Sequence, residues 1–153
     1  MLDYANRLLP VIAPGLPAAT AVRGEPGSLR VRPVTDLAGP LAGVVAELAA
    51  GPGSIGVVCA DASVPDVVAL LGAAGLPAAA LVDDGEPPAR LAVVPATLAK
   101  GLEFDAVVVA DPAAIVAAEP RGLHRLYVVL TRAVSTLVVL HRGDLPAELA
   151  APL

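Results

Sequence analysis

Lysine is almost missing from this sequence: Lys100 is the only one, and the other basic residues are all arginine. Acids outnumber bases, 15 to 10, for a formal net charge of −5. An autonomous nucleic-acid binder draws affinity from many Lys and Arg contacts to phosphates. That footprint is lacking, so any nucleic-acid contact must be local or shared with another domain. Cysteine is as scarce, with Cys59 alone inside an apolar run. An internal disulfide is therefore excluded, and a small core residue is expected. No second His or Cys stands at metal-binding distance from His124, which reads as a surface or interface residue.

Long unbroken apolar runs are also missing. Val67 to Val82 is interrupted by Gly72, Gly75 and Pro77 and falls short of the roughly 18 residues a spanning helix needs. The N-terminus, with Asp3 ahead of Arg7, lacks the basic-then-apolar order of a signal peptide. A soluble cytoplasmic protein without a membrane partner is expected. There is no Gly-x-x-x-x-Gly-Lys-Ser/Thr loop, no Gly-Lys pair, and no Asp-Glu pair after a strand to hold magnesium.

What is present is an apolar chain of one-domain size: 153 residues, 56% hydrophobic and 16% charged. Leu2 to Leu9 has helical spacing, stopped by Pro10. After a Pro- and Gly-rich connection from Ala13 to Gly27 come a strand, Leu29 to Val34, and a helix, Leu37 to Ala50, capped by Asp36. Gly51 to Gly53 ends it. Ile55 to Cys59 reads as a buried strand, Asp61 to Ser63 as the cap of a helix over Val64 to Ala74, and Gly75 as its close. A short strand over Ala78 to Val82 and a polar turn over 83–88 follow. The runs Leu91 to Val94 and Ala106 to Ala110 read as strands, then a short helix around Pro112 to Ala118. A helix from Pro120 to Ala133 would carry Leu123, Leu126, Tyr127 and Leu130 on one stripe, with Arg121, Arg125 and Arg132 opposite. A strand over Thr136 to Leu140 and a short helical tail complete the chain. Alternating helices and continuous Val-rich strands predict an α/β fold: a three-layer parallel sheet with helices on both faces, spanning 1–153 as one domain.

Between the two central strands lies a polar insert, Lys100-Gly-Leu-Glu-Phe-Asp105. It follows a buried strand, and ligands of parallel sheets collect outside the carboxyl ends of strands. The insert is therefore expected where a nucleotide is met; a solvated loop is the plainer alternative for Lys100.

Ala99-Lys-Gly-Leu-Glu-Phe104 resembles motif V of the UvrD/Rep-type superfamily-one helicases. Leu126-Tyr-Val-Val-Leu-Thr-Arg-Ala133 resembles their motif VI. Ile55 to Cys59, its following helix and Gly75-Leu-Pro77 resemble the strand, helix and Gly-Ile-Pro segment after motif IV. Together these cover nearly the whole chain and point to the second, C-terminal RecA-like domain (2A), which has no phosphate loop of its own. Within the family the pattern is most similar to the HelD-type proteins of actinobacteria, which associate with RNA polymerase.

The resemblance implies an ATP-hydrolysing DNA helicase or translocase whose ATP and Mg2+ lie in a cleft shared with an N-terminal RecA-like domain. Arg132 would be the finger that reaches the γ-phosphate; otherwise it complements a helix dipole. Glu103 would accept a hydrogen bond from the ribose, or be an exposed loop acid. Gly101 lets backbone approach a ligand or merely permits a turn. Lys100 and Arg125 would line the cleft or be solvated. Thr97 and Lys100 would couple ATP state to nucleic acid. Tyr127 packs the helix, and Thr131 orients Arg132 or does nothing special.

Departures from the pattern matter too. The motif V threonine and histidine that face DNA are Pro95 and Thr97 here, and proline has no backbone donor. The acidic pair ahead of motif VI is replaced by Arg121 and Gly122. The Tyr-Arg of motif IV is not in this chain, and the helical insertion that many relatives carry between Val82 and Leu91 is reduced to a turn. The chain is expected to be part of a larger ATPase, inactive alone. An RNA polymerase docking module is the second reading, and an unrelated parallel α/β nucleotide binder the third.

Overall fold

The computed structural model describes residues 1–20, 27–83 and 85–150. Two short helices, α1 (Leu2–Asn6) and α2 (Leu9–Ile12), precede β1 (Ser28–Pro33), α3 (Ala38–Ala49), β2 (Ile55–Cys59), α4 (Val64–Ala73), β3 (Ala79–Ala80), β4 (Leu91–Pro95), β5 (Phe104–Ala110), α5 (Pro112–Ala117), α6 (Gly122–Leu130) and β6 (Ala133–His141). All strand pairs are parallel, in the order β1-β6-β5-β2-β4-β3.

Alternation along each strand divides the core. On one face Val58, Val94, Val107, Val109, Leu137 and Val139 meet Tyr4, Leu8, Ile115, Leu126, Val129 and Leu130 from α1, its trailing turn, α5 and α6. On the other face Val57, Cys59, Val93, Val108, Val138 and Leu140 meet Leu41, Val44 and Val45 of α3 and Val67 and Leu71 of α4. The expected three-layer α/β/α arrangement is thus present, with β2 buried at all five positions. Burial on both faces is why its sequence reads as an unbroken apolar run.

Local boundaries differ from expectation in instructive ways. Pro10 does not stop the first helix: α1 has already ended at Asn6, and Pro10 sits in the first turn of α2, where its missing N–H costs nothing. Asp36 does accept the amide of Ala38, at 3.1 Å, as a cap would. Asp61 does not cap α4; its carboxylate is turned to Thr97 instead. Pro120 lies outside α6, which begins at Gly122, and Arg132 lies in the turn after it rather than on its polar side. The chain must reverse there to enter β6, whose β-branched residues continue the sheet. After β6 the described residues form two overlapping turns, closed by Leu149 N–H to Pro146 O and Ala150 N–H to Ala147 O, not a helical tail. Among the described residues no helix is long and apolar enough to cross a membrane. The expected Pro- and Gly-rich connection and polar turn lie partly outside the described residues, at 21–26 and 84.

Candidate nucleotide-facing edge

The strand order decides where the polar insert goes. β4 and β5 lie on either side of β2, so residues 96–103 must cross over β2. Parallel strands also oblige the chain to return to the amino end of the sheet before β5 begins. Pro95 stands level with Cys59 at the carboxyl end of β2, while Ala106 stands level with Ile55 at its amino end. The two levels are about 13 Å apart, four residue steps at a strand's rise. Thr97 starts it at the carboxyl edge and Glu103 finishes it at the amino edge. The expectation that Lys100 to Asp105 sits outside the carboxyl end of a strand is overturned: Phe104 and Asp105 already belong to β5.

At the amino edge, Arg132 is built into the backbone around it. Its Nε donates to Val128 O at 3.0 Å, Nη1 to Leu102 O at 3.2 Å, and Nη2 to Thr131 Oγ1 at 3.1 Å. The first of these satisfies one of the last carbonyls of α6, which a helix end otherwise leaves without a partner. Thr131 thus does help to orient Arg132, and its own hydroxyl donates to Val128 O at 2.8 Å. Meanwhile the amide of Phe104 donates to Arg132 O at 3.0 Å. Both neighbours of Glu103 in sequence are thereby bonded to Arg132. The half-buried guanidinium forms no ion pair among the described residues, and three of its five N–H groups are used. Glu103 is exposed, and its carboxylate makes no hydrogen bond there. Gly101, at φ +84°, makes the turn that delivers Leu102, and the space a side chain would occupy is open. Lys100 is exposed beside it.

Thr97 and Arg125 are not with these residues. They meet at the carboxyl edge, in a cleft of about 300 Å³ lined by Ala60, Asp61, Ala96, Ile115 and Glu119 as well. Asp61 accepts the Thr97 hydroxyl at 2.5 Å and its amide at 3.2 Å. Arg125 Nε donates to Glu119 at 2.6 Å, and Nη1 reaches Thr97 O at 3.4 Å. The hydrogen bond and charge of Arg125 hold the Glu119 carboxyl below its usual range, and Glu119 raises Arg125 in return. α6 runs back across the sheet, so its length separates Arg125 from Arg132. The two arginines serve opposite edges.

Two further residues that touch the crossing or its exit into β5 do not stand out in the sequence. Asp61 looked like a helix cap, and Gly56 like one residue of an apolar strand. A Cβ on Gly56 would come within 2.6 Å of the Phe104 ring. Gly122, noted as a departure from motif VI, has a similar cause: a Cβ there would lie 2.0 Å from Val116 O of α5. The close approach of α5 leaves no room for an acidic side chain at that position.

No protein-family model matches this sequence, and no curated protein does. Among solved structures, the chain is similar to the C-terminal domain of a possible DNA helicase from Lactobacillus plantarum WCFS1. The two superpose with a TM-score of 0.70 at 22% identity, over 97% of this chain and 89% of that one. The chain shares that domain's fold.

Proposed function

We propose that this chain is the C-terminal RecA-like domain of an ATP-dependent, UvrD-like DNA helicase or translocase. On this reading an N-terminal RecA-like domain of the same protein completes the ATP site and holds Mg2+. The observation that carries it is Arg132: its guanidinium is fixed by three neutral acceptors, one of them Leu102 O, and not neutralised by a carboxylate, while its backbone carbonyl accepts the Phe104 amide on the other side of Glu103. Such a group keeps its full charge and its remaining donors for an incoming anion, and it loses little side-chain freedom when one arrives. ATP, when bound, supplies the γ-phosphoryl group. Arg132 would stabilise the charge that spreads over the γ-oxygens, and Glu103 would accept a hydrogen bond from the ribose. The fold shared with a helicase C-terminal domain supports this reading, as do the motif V and motif VI patterns.

The test is to add an N-terminal RecA-like domain in trans and measure ATP hydrolysis. The isolated chain is expected to be inactive and the mixture active. Arg132→Ala should then reduce kcat by roughly a thousandfold or more while circular dichroism stays unchanged. Full activity in that variant would remove the assignment.

One observation favours a second reading, that of a HelD-type factor in which docking on RNA polymerase outweighs unwinding. The hydroxyl and amide of Thr97 are both given to Asp61, and Pro95 has no amide to offer. The two positions that grip DNA in the resembling family are therefore spent internally. A polymerase pull-down that survives Arg132→Ala, alongside weak DNA stimulation of the ATPase, would favour the docking role.

A further inference from the structure

Residues 96–103 carry Thr97 at one edge of the sheet and Glu103 at the other, and both ends of the segment rest on β2. At the carboxyl edge Asp61, two residues past the end of β2, holds the Thr97 hydroxyl at 2.5 Å and its amide at 3.2 Å. Bonds in which an ionised carboxylate is the acceptor are the short, strong kind. At the amino edge Phe104 lays its ring where Gly56 of β2 has no side chain. Phe104 is the sequence's only phenylalanine and is buried. Its amide is the one bonded to Arg132 O, and Leu102 O is the acceptor of Arg132 Nη1. The neighbouring helix adds a weaker tie, Arg125 Nη1 to Thr97 O at 3.4 Å. Displacement of either end would thus be felt at Arg132.

We propose that Asp61 and Gly56 are positioning residues: Gly56 within β2 and Asp61 in the turn after it fix the two ends of residues 96–103 and so set Glu103 and Arg132 at the amino edge. The proposal rests on the nucleotide-facing reading of Arg132 and Glu103. Asp61 itself stands at the far edge from the proposed nucleotide, so its influence must travel along the segment.

The chain as it stands allows a direct test, by amide hydrogen exchange with Arg132 Nε–H followed in the same spectra. Asp61→Ala is expected to speed exchange roughly tenfold at Thr97, and also at Leu102, Phe104 and Arg132 Nε, the scale of losing one charge-assisted hydrogen bond. Val107 to Val109 in the core should keep their protection. Gly56→Ala should perturb Phe104 and Arg132 Nε first, with Thr97 following. Asp61→Asn, which retains an acceptor for Thr97, should restore most of the protection. If Asp61→Ala unfolds the chain, Thr97→Val, which removes the hydroxyl bond from the other side, becomes the variant read: faster exchange at residue 97 together with Phe104 supports the proposal. Faster exchange confined to residue 97, in either variant, overturns it.

In the trans ATPase assay Asp61→Ala should lower kcat about tenfold with little change in KM for ATP, and Asp61→Asn should recover it. The two readings fail separately. An active Arg132→Ala mixture sinks the nucleotide reading and leaves the exchange result standing. A local exchange effect sinks the positioning role and leaves the nucleotide reading untouched.

Discussion

Arg125 and Arg132 stand at opposite edges of the sheet and are held by different kinds of acceptor. At the carboxyl edge Arg125 meets Glu119 and Arg142 meets Asp111, each at 2.6 Å. At the amino edge Arg132 and Arg90 meet carbonyls, Arg132 those of Val128 and Leu102, Arg90 those of Ala49, Gly51 and Gly53, whereas Arg30 of β1 pairs with Glu47 near the same edge at 2.8 Å. Pairing with a carboxylate cancels a charge locally, whereas a carbonyl dipole fixes the side chain and leaves its charge in place. A phosphate approaching Arg125 would have to displace an existing carboxylate partner. One approaching Arg132 would not. The position of a cation in the fold therefore says less about its use than the kind of acceptor that holds it.

The largest expected effect sets these edges against each other. In the trans ATPase assay Arg132→Ala should cost roughly a thousandfold in kcat, while Arg125→Ala should stay within about tenfold. Comparable losses from both would erase the distinction between the edges. Arg132→Lys separates charge from geometry, because an ammonium cannot reach Val128 O, Leu102 O and Thr131 Oγ1 in one plane. It should behave more like alanine than like the parent.

How far such a distinction is legible in the sequence depends on the residue. Ile55 to Cys59 and Ala106 to Ala110 announce themselves as doubly buried strands, since every position is apolar. Gly101 announces a turn. Arg132 and Glu103 could be brought together only through the motif resemblance, because the bond that places them at one edge, Arg132 Nη1 to Leu102 O, joins residues 30 apart in sequence. Placing Thr97 and Arg125 with them followed from reading the insert as a loop at one end of a strand. Nothing local says that β2 lies between β4 and β5, and that strand order is what stretches the insert across the sheet. Asp61 and Gly56 were hidden for the same reason: their partners, Thr97 and Phe104, arrive from a strand connection formed later in the chain. Arg132 was assigned to the wrong element because helical periodicity persists through it, although the chain has already turned toward β6.

A second prediction sharpens the contrast through packing. Gly122→Ala places a Cβ against Val116 O and should destabilise the chain by about 1–3 kcal/mol in urea unfolding, the usual cost of overpacking. Because Gly122 opens α6 near the carboxyl edge, the disturbance should reach Arg125 before Arg132. Cys59 provides a check on the core between the edges. Burial first, and the charge of Asp61 second, push its thiol up to about 12. At pH 8 it should resist a thiol reagent in the native chain and react at once in urea. Rapid native reaction would mean that β2, on which both edges depend, is not firmly packed.

The smallest effect concerns acid. The carboxyl of Glu119 is held below its usual range by Arg125, so its contribution to stability is present above the unfolded value of about 4.3 and fades as pH falls through the lower folded value. Glu119→Gln should therefore be slightly less stable than the parent at pH 7, and the gap should close as the pH is lowered toward 3. Glu119 is solvent-accessible enough that the difference will be small and will shrink further in salt. Glu103→Gln is the matching variant at the other edge. Its carboxylate makes no bond within the described chain, so the substitution should leave stability at pH 7 unchanged. A stability difference for Glu103 as large as that for Glu119 would mean that Arg132 is neutralised after all, and the amino edge would lose the free charge that distinguishes it.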